Sequence, residues 1–179
     1  METYELASSV ILVSISIGLI ASAGLSNGEN GNPSDTNSEE VHEHALFHVV
    51  INGSEVDFTD QRYQLNARDV HLENNRSDIV HKHESGVTWS RFLNTINTTY
   101  WRSNSTGNLC VRTYETETCG DGAVYLNGEQ VEDLDTEFRQ DDHLLIVLDT
   151  ANRTQVVEEY MKQQLPQEYK PLSQRGRRV

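Results

Sequence analysis

The spacing of apolar residues changes several times along this chain, and each change marks an element. From Leu6 to Leu25 no charged residue interrupts an apolar run, and about 20 helical residues span the hydrocarbon core of a bilayer. Residues 26–40, SNGENGNPSDTNSEE, carry no period at all. Their Gly, Asn, Ser and Glu content predicts a flexible, solvated linker. Strand alternation starts near Val41, with Phe47, Val49 and Ile51 on one face and His44, Leu46 and His48 on the other. Asn52-Gly53 predicts a tight turn into a short strand over 55–58. Residues 70–73 and 79–83 read as two further strands around the polar turn 74–78. The period then becomes helical: Trp89, Phe92, Leu93 and Ile96 follow Thr88, a good N-cap, and predict a helix over 88–97. Residues 98–108 read as a polar loop. Residues 109–116 and 122–126 alternate as strands joined by a cysteine-bounded turn, and Asn127-Gly128 predicts another tight turn. His143-Leu144-Leu145-Ile146-Val147-Leu148 has the near-continuous apolar character of a strand buried on both faces. A solvent-facing helix is expected over 151–164, ended by Pro166 and Pro171.

These elements predict an α+β domain: a mixed β-sheet with one main helix, preceded by an N-terminal transmembrane or signal helix. The expected organisation is an anchor or signal segment over 1–25, an acidic linker over 26–40, a histidine-rich domain over 41–150, and a C-terminal helix and basic tail over 151–179. The folded part is long enough for one modest core and not for two. The N-terminal segment is preceded by Glu2 and Glu5 and by no basic residue, while Ala21-Ser22-Ala23 offers a cleavage site. An uncleaved membrane anchor and a cleaved export signal both fit.

Charge narrows the setting. There are 28 acidic and 14 basic residues, a formal net charge of -14, and the only lysines are Lys82, Lys162 and Lys170. An acidic, lysine-poor chain suits concentrated salt, where repulsion is screened. An ordinary acidic secreted domain is the competing reading. Either way the negative field excludes nucleic acid as the main partner. Sequons begin at Asn52, Asn75, Asn97, Asn104 and Asn152, and the lone cysteines, Cys110 and Cys119, are expected to form a disulfide in an exported domain. Their spacing is not C-x-x-C, so thioredoxin-like redox chemistry is not indicated.

The candidate chemistry lies in the histidines. Six of the seven fall between residues 42 and 83, in the steps His42-Glu43-His44 (with His48 further on), His71-Leu72-Glu73 and His81-Lys82-His83. Alternate residues of a strand share a face, so each step aims two ligand-type side chains the same way. The short turn between 73 and 81 makes the last two steps cross-strand neighbours. The candidate metal ligands are therefore His42, His44, His48, His71, Glu73, His81 and His83. Nitrogen and oxygen donors without thiolate suit Zn²⁺, Cu²⁺, Ni²⁺ or iron, and outside the cell Zn²⁺ or Cu²⁺ is the expected cofactor. His143, beside Asp141 and Asp142, reads first as a residue that starts a strand, with a metal-ligand role as the lesser alternative. No H-E-x-x-H, G-x-S-x-G or phosphate loop occurs. The expected role is metal binding, storage or handover at the cell surface rather than catalysis. Two alternatives remain: an extracellular interaction module that binds no metal, and a metal-dependent hydrolase with Glu73 or Glu84 as base. The expected partners are the membrane, through the N-terminal helix, and an envelope protein.

The order hairpin, helix, strands, with Ala123-Val124-Tyr125-Leu126-Asn127-Gly128-Glu129 and Asp141-Asp142-His143-Leu144-Leu145-Ile146-Val147, resembles the β-grasp (ubiquitin-like) fold over roughly residues 85–149. Sulfur-carrier members of that fold share such an L-N-G-E turn and final strand. This chain ends Arg177-Arg178-Val179 instead of the Gly-Gly those carriers need, so the resemblance implies the fold and not the carrier activity. The whole chain also resembles envelope proteins of salt-loving archaea, which implies a cell-surface setting.

Overall fold

The computed structural model describes residues 41–175. The expected anchor or signal segment, the linker and the last four residues of the basic tail lie outside the described residues. Among the described residues no helix is long and apolar enough to cross a membrane.

The domain is α+β, built on a seven-stranded mixed sheet and a separate three-stranded one. The strands of the large sheet are β1 (Glu43–Ile51), β2 (Ser54–Glu55), β3 (Val70–Leu72), β4 (Ile79–Lys82), β8 (Gly122–Leu126), β9 (Glu129–Val131) and β10 (His143–Leu148). Those of the small sheet are β5 (Thr99–Arg102), β6 (Leu109–Arg112) and β7 (Glu117–Gly120). Helix α1 covers Trp89–Thr95 and α2 covers Arg153–Met161. The large sheet runs β3-β4-β1-β10-β8-β9, with β2 added to β1. At its centre β1 and β10 are parallel, and every other pair is antiparallel.

The tight turns form where expected. Asn52 and Gly53 both have positive φ (53° and 75°), as do Asn127 and Gly128 (53° and 86°). This is the pattern of two-residue hairpin turns, which the Asn-Gly pair tolerates best. Thr88 caps α1, its hydroxyl accepting from the Arg91 amide at 3.1 Å. One face of the sheet packs on that helix: Ala45, Phe47, Val49, Leu144 and Ile146 meet Trp89, Phe92, Leu93 and Ile96 in the main core.

The opposite face is buried too, which explains why β1 and β10 are covered along nearly their whole lengths. The C-terminal segment lies over it. Val156, Val157, Tyr160 and Met161 pack on Val50, Leu145 and Val147, while Leu165 and Tyr169 pack on Leu46 and Ile79. The helix expected to be solvent-facing is thus shorter than 151–164 and docks one side on the sheet. Its apolar positions are too few to announce that face in the sequence.

Two further expectations are corrected. Residues 98–108 are not all loop, because Thr99–Arg102 forms β5 and pairs with β6. The strand beginning at Leu109 ends at Arg112, and the chain turns back at once into β7 rather than running on towards β8. Cys110 and Cys119 face each other across β6 and β7, with a Cα–Cα distance of 3.9 Å, and are joined by a disulfide. Reduction should therefore release a hairpin constraint and not an inter-sheet one. For a loop this short the loss is about 2–3 kcal/mol, read as a lower urea midpoint in the presence of reductant.

Candidate metal centre

The outer face of the sheet carries the histidines, and register brings them together. His44 of β1 lies opposite His81 of β4, and His81 lies opposite His71 of β3. Three imidazoles thus form a row across three adjacent strands. His42 precedes β1 and His83 follows β4, so both sit at the sheet's end beside that row. Ring centroids are 4.7 Å apart for His42–His44, 4.7 Å for His44–His81, 4.9 Å for His42–His83 and 5.0 Å for His71–His83. Neutral imidazoles can pack this closely, whereas protonated ones would repel.

His42, His81 and His83 can each present one ring nitrogen such that all three lie within 4.8 Å of one another. A tetrahedral zinc ion with bonds of about 2.05 Å holds its nitrogens roughly 3.3 Å apart. Small swings of the rings would close the difference. His81 is buried, His83 half-buried and His42 exposed. The cluster therefore has a buried inner imidazole and an accessible outer one.

The surroundings favour lone pairs over protons. Burial, and then the neighbouring His44, His71, His42 and His83, push the His81 imidazole down to about 3. Burial and then His42 lower His44 as well. The Nε2 of His81 is buried without a hydrogen-bond partner. His71 has its Nδ1 2.8 Å from the Ala67 carbonyl. A carbonyl only accepts, so Nδ1 carries the hydrogen and Nε2 is the nitrogen turned to the cluster. That Nε2 lies 3.6 Å from Glu73, whose other oxygen lies 3.5 Å from His81 Nδ1. Glu73 thus stands between two rings, placed to orient them or to serve as a fourth ligand.

The C-terminal segment roofs the cluster. The Tyr169 ring meets His44 and His81 edge-on at 5.2 and 5.5 Å. Gln140 ties this strap down by accepting from the His44 amide at 3.0 Å and donating to the Tyr169 carbonyl at 3.3 Å. A cleft of about 230 Å³ remains between His42, His44, Glu73 and His81 on one side and Glu168 to Pro171 on the other. Neither Tyr169 nor Gln140 was recognisable from sequence. Each lies far along the chain from the histidines, and nothing local to either residue marks it.

Of the seven candidate ligands, six gather here. His48 does not. It shares the face, but four residues of strand separate it from His44 by about 13 Å, too far for one ion. Its ring instead neighbours His143 and Tyr160, with centroids 5.1 and 4.7 Å away. No family model matches the chain, and no curated protein or solved structure is similar to it.

Proposed function

We propose that the domain is a metal-binding module of the cell surface, in which His42, His81 and His83 hold one divalent transition ion, Zn²⁺ or Cu²⁺. The observation that carries this reading is the convergence of three ring nitrogens within 4.8 Å, one of them on a buried imidazole. Glu73, His44 and His71 would form the surrounding shell. Three protein ligands leave one coordination position for water or a receiving ligand, which suits storage and handover. The same open position, with Glu73 nearby, is also what a metal-dependent hydrolase would need. The disulfide favours an oxidising compartment, in keeping with export or anchoring by the N-terminal segment, with the membrane and an envelope protein as partners. We also read the domain as β-grasp-like, on the strength of its central parallel pair, formed by the first and last strands of the sheet, and the helix between them.

The test is elemental analysis of the full chain purified without a histidine tag in high salt, followed by thermal unfolding with added Zn²⁺. The expected result is one zinc or copper ion per chain. At 100-fold excess over the dissociation constant a bound ion adds about 2.7 kcal/mol, a rise in Tm of roughly 10 °C for a domain of this size. No metal and no thermal shift would leave the interaction module as the better reading.

A further inference from the structure

His48 and His143 make a second arrangement that the edge cluster does not explain. His143 opens β10 and pairs with Leu46, so His48 lies diagonally from it on the adjacent parallel strand. Both are buried, 3 % and 5 % exposed. The Nε2 atoms of both are enclosed and have no hydrogen-bond partner. A buried ring nitrogen left unpaired costs about 1–3 kcal/mol, and here two occur side by side.

The far side of His48 is held. Its Nδ1 contacts Glu55 Oε1 of β2 at 2.5 Å, and the Tyr160 hydroxyl donates to the other Glu55 oxygen at 3.3 Å. A carboxylate accepts only, so Nδ1 carries the hydrogen and Nε2 is the nitrogen left for an ion. Carboxylates orient metal-bound imidazoles in this way. His143 also lines a cavity of about 410 Å³ whose wall includes the Met161 thioether and Leu46.

We propose that His48 and His143 form a second metal site, separate from the edge cluster, that takes a soft monovalent ion of the cuprous class. The donors decide the class. Two imidazoles and a thioether are neutral and few, and soft donors select Cu(I). The cost of burying an ion rises steeply with its charge, so a divalent ion lacking charged ligands is penalised far more than a monovalent one. Glu55 supplies one balancing negative charge through His48. Leu46, Ile79 and Leu165 form an apolar cluster on the same face as both sites, and the strand spacing prevents a shared ion.

The test is anaerobic titration of the full chain with Cu(I) against a chromophoric chelator, after saturation with Zn²⁺. One Cu(I) per chain is expected. Affinity should fall at least 100-fold in His48→Phe and in His143→Phe, and about 10-fold in Met161→Leu. It should be unchanged in the double variant His81→Ala/His83→Ala, which separates this site from the edge cluster. As a readout free of folding effects, the ring resonances of wild-type His48 and His143 should shift on adding Ag(I) while those of His42 and His83 stay in place. Cu(I) binding that survives both phenylalanine variants, that disappears in the edge variant, or that leaves the His48 and His143 resonances unmoved would overturn the proposal.

Discussion

A chain carrying His81→Ala and His83→Ala should bind Zn²⁺ on the order of 10⁴-fold more weakly than the wild type. Structural zinc sites bind with roughly 10–16 kcal/mol in total, or about 3 kcal/mol for each of four ligands. Two lost ligands then amount to about 6 kcal/mol, which is a little over four decades in affinity. The fold should survive the change. His83 is only half-buried, and the buried His81 contributes an unpaired Nε2, so its removal leaves a cavity but also relieves an unsatisfied polar atom. Circular dichroism should remain native while competition with a zinc chelator registers the loss. His42→Ala alone should cost less, because that ring is exposed and water can take its place. If the double variant keeps native stoichiometry and affinity, the three-histidine site is wrong.

The metal-free domain should lose several kcal/mol of stability between pH 6.5 and pH 4. The unfolded chain takes up protons on its histidines near pH 6.5. The folded chain refuses them at His81 until about pH 3 and at His143 until about pH 4. Across that interval the unfolded state binds more protons, so stability rises with pH. The contribution is complete above pH 6.5 and drains away as pH falls through the window. Each unit of displacement is worth about 1.4 kcal/mol, and typical domains have only 5–15 kcal/mol to lose. Asp60, held down to about 2 by hydrogen bonds from Arg62, contributes only at the acid end. Urea midpoints taken at pH 7, 5.5 and 4.5 in the presence of chelator should fall steadily. A flat profile would mean that these imidazoles are more hydrated than their burial indicates. Added Zn²⁺ should restore much of the loss at pH 5.5.

The features legible in the sequence are those set by local signals. The Asn-Gly turns, the Thr88 cap, the helical spacing of Trp89, Phe92, Leu93 and Ile96, and the apolar strand after His143 all depend on residues within a few positions of one another. The two-residue spacing of the histidine steps was equally visible, because strand geometry alone sets it. What stayed hidden depends on pairing at a distance. The parallel contact between β1 and β10 joins residues nearly a hundred positions apart, and no periodicity announces it. That contact brings His143 to His48. Strands β5 and β7 are short, polar and partly exposed, so their alternation carries little contrast. Tyr169 reaches the histidines only because the tail folds back over a sheet face whose coverage cannot be read from one strand.

Lys82 stands between His81 and His83 in sequence yet points to the other side of β4. It is 2 % exposed, and its ammonium group reaches Glu43 at 2.8 Å, Glu137 at 2.7 Å and the Phe138 carbonyl at 2.7 Å. A slip of β4 by one residue would turn the lysine out of this ionic nest and drive both flanking imidazoles into an apolar interior. The alternating triplet is therefore self-indexing: the cation keys the strand to a single phase, and in that phase the paired imidazoles meet their counterparts from β1. Selection for the ion pair and selection for the histidine array would then act on the same backbone choice, so that the chain cannot fold correctly and misassemble its ligands at the same time.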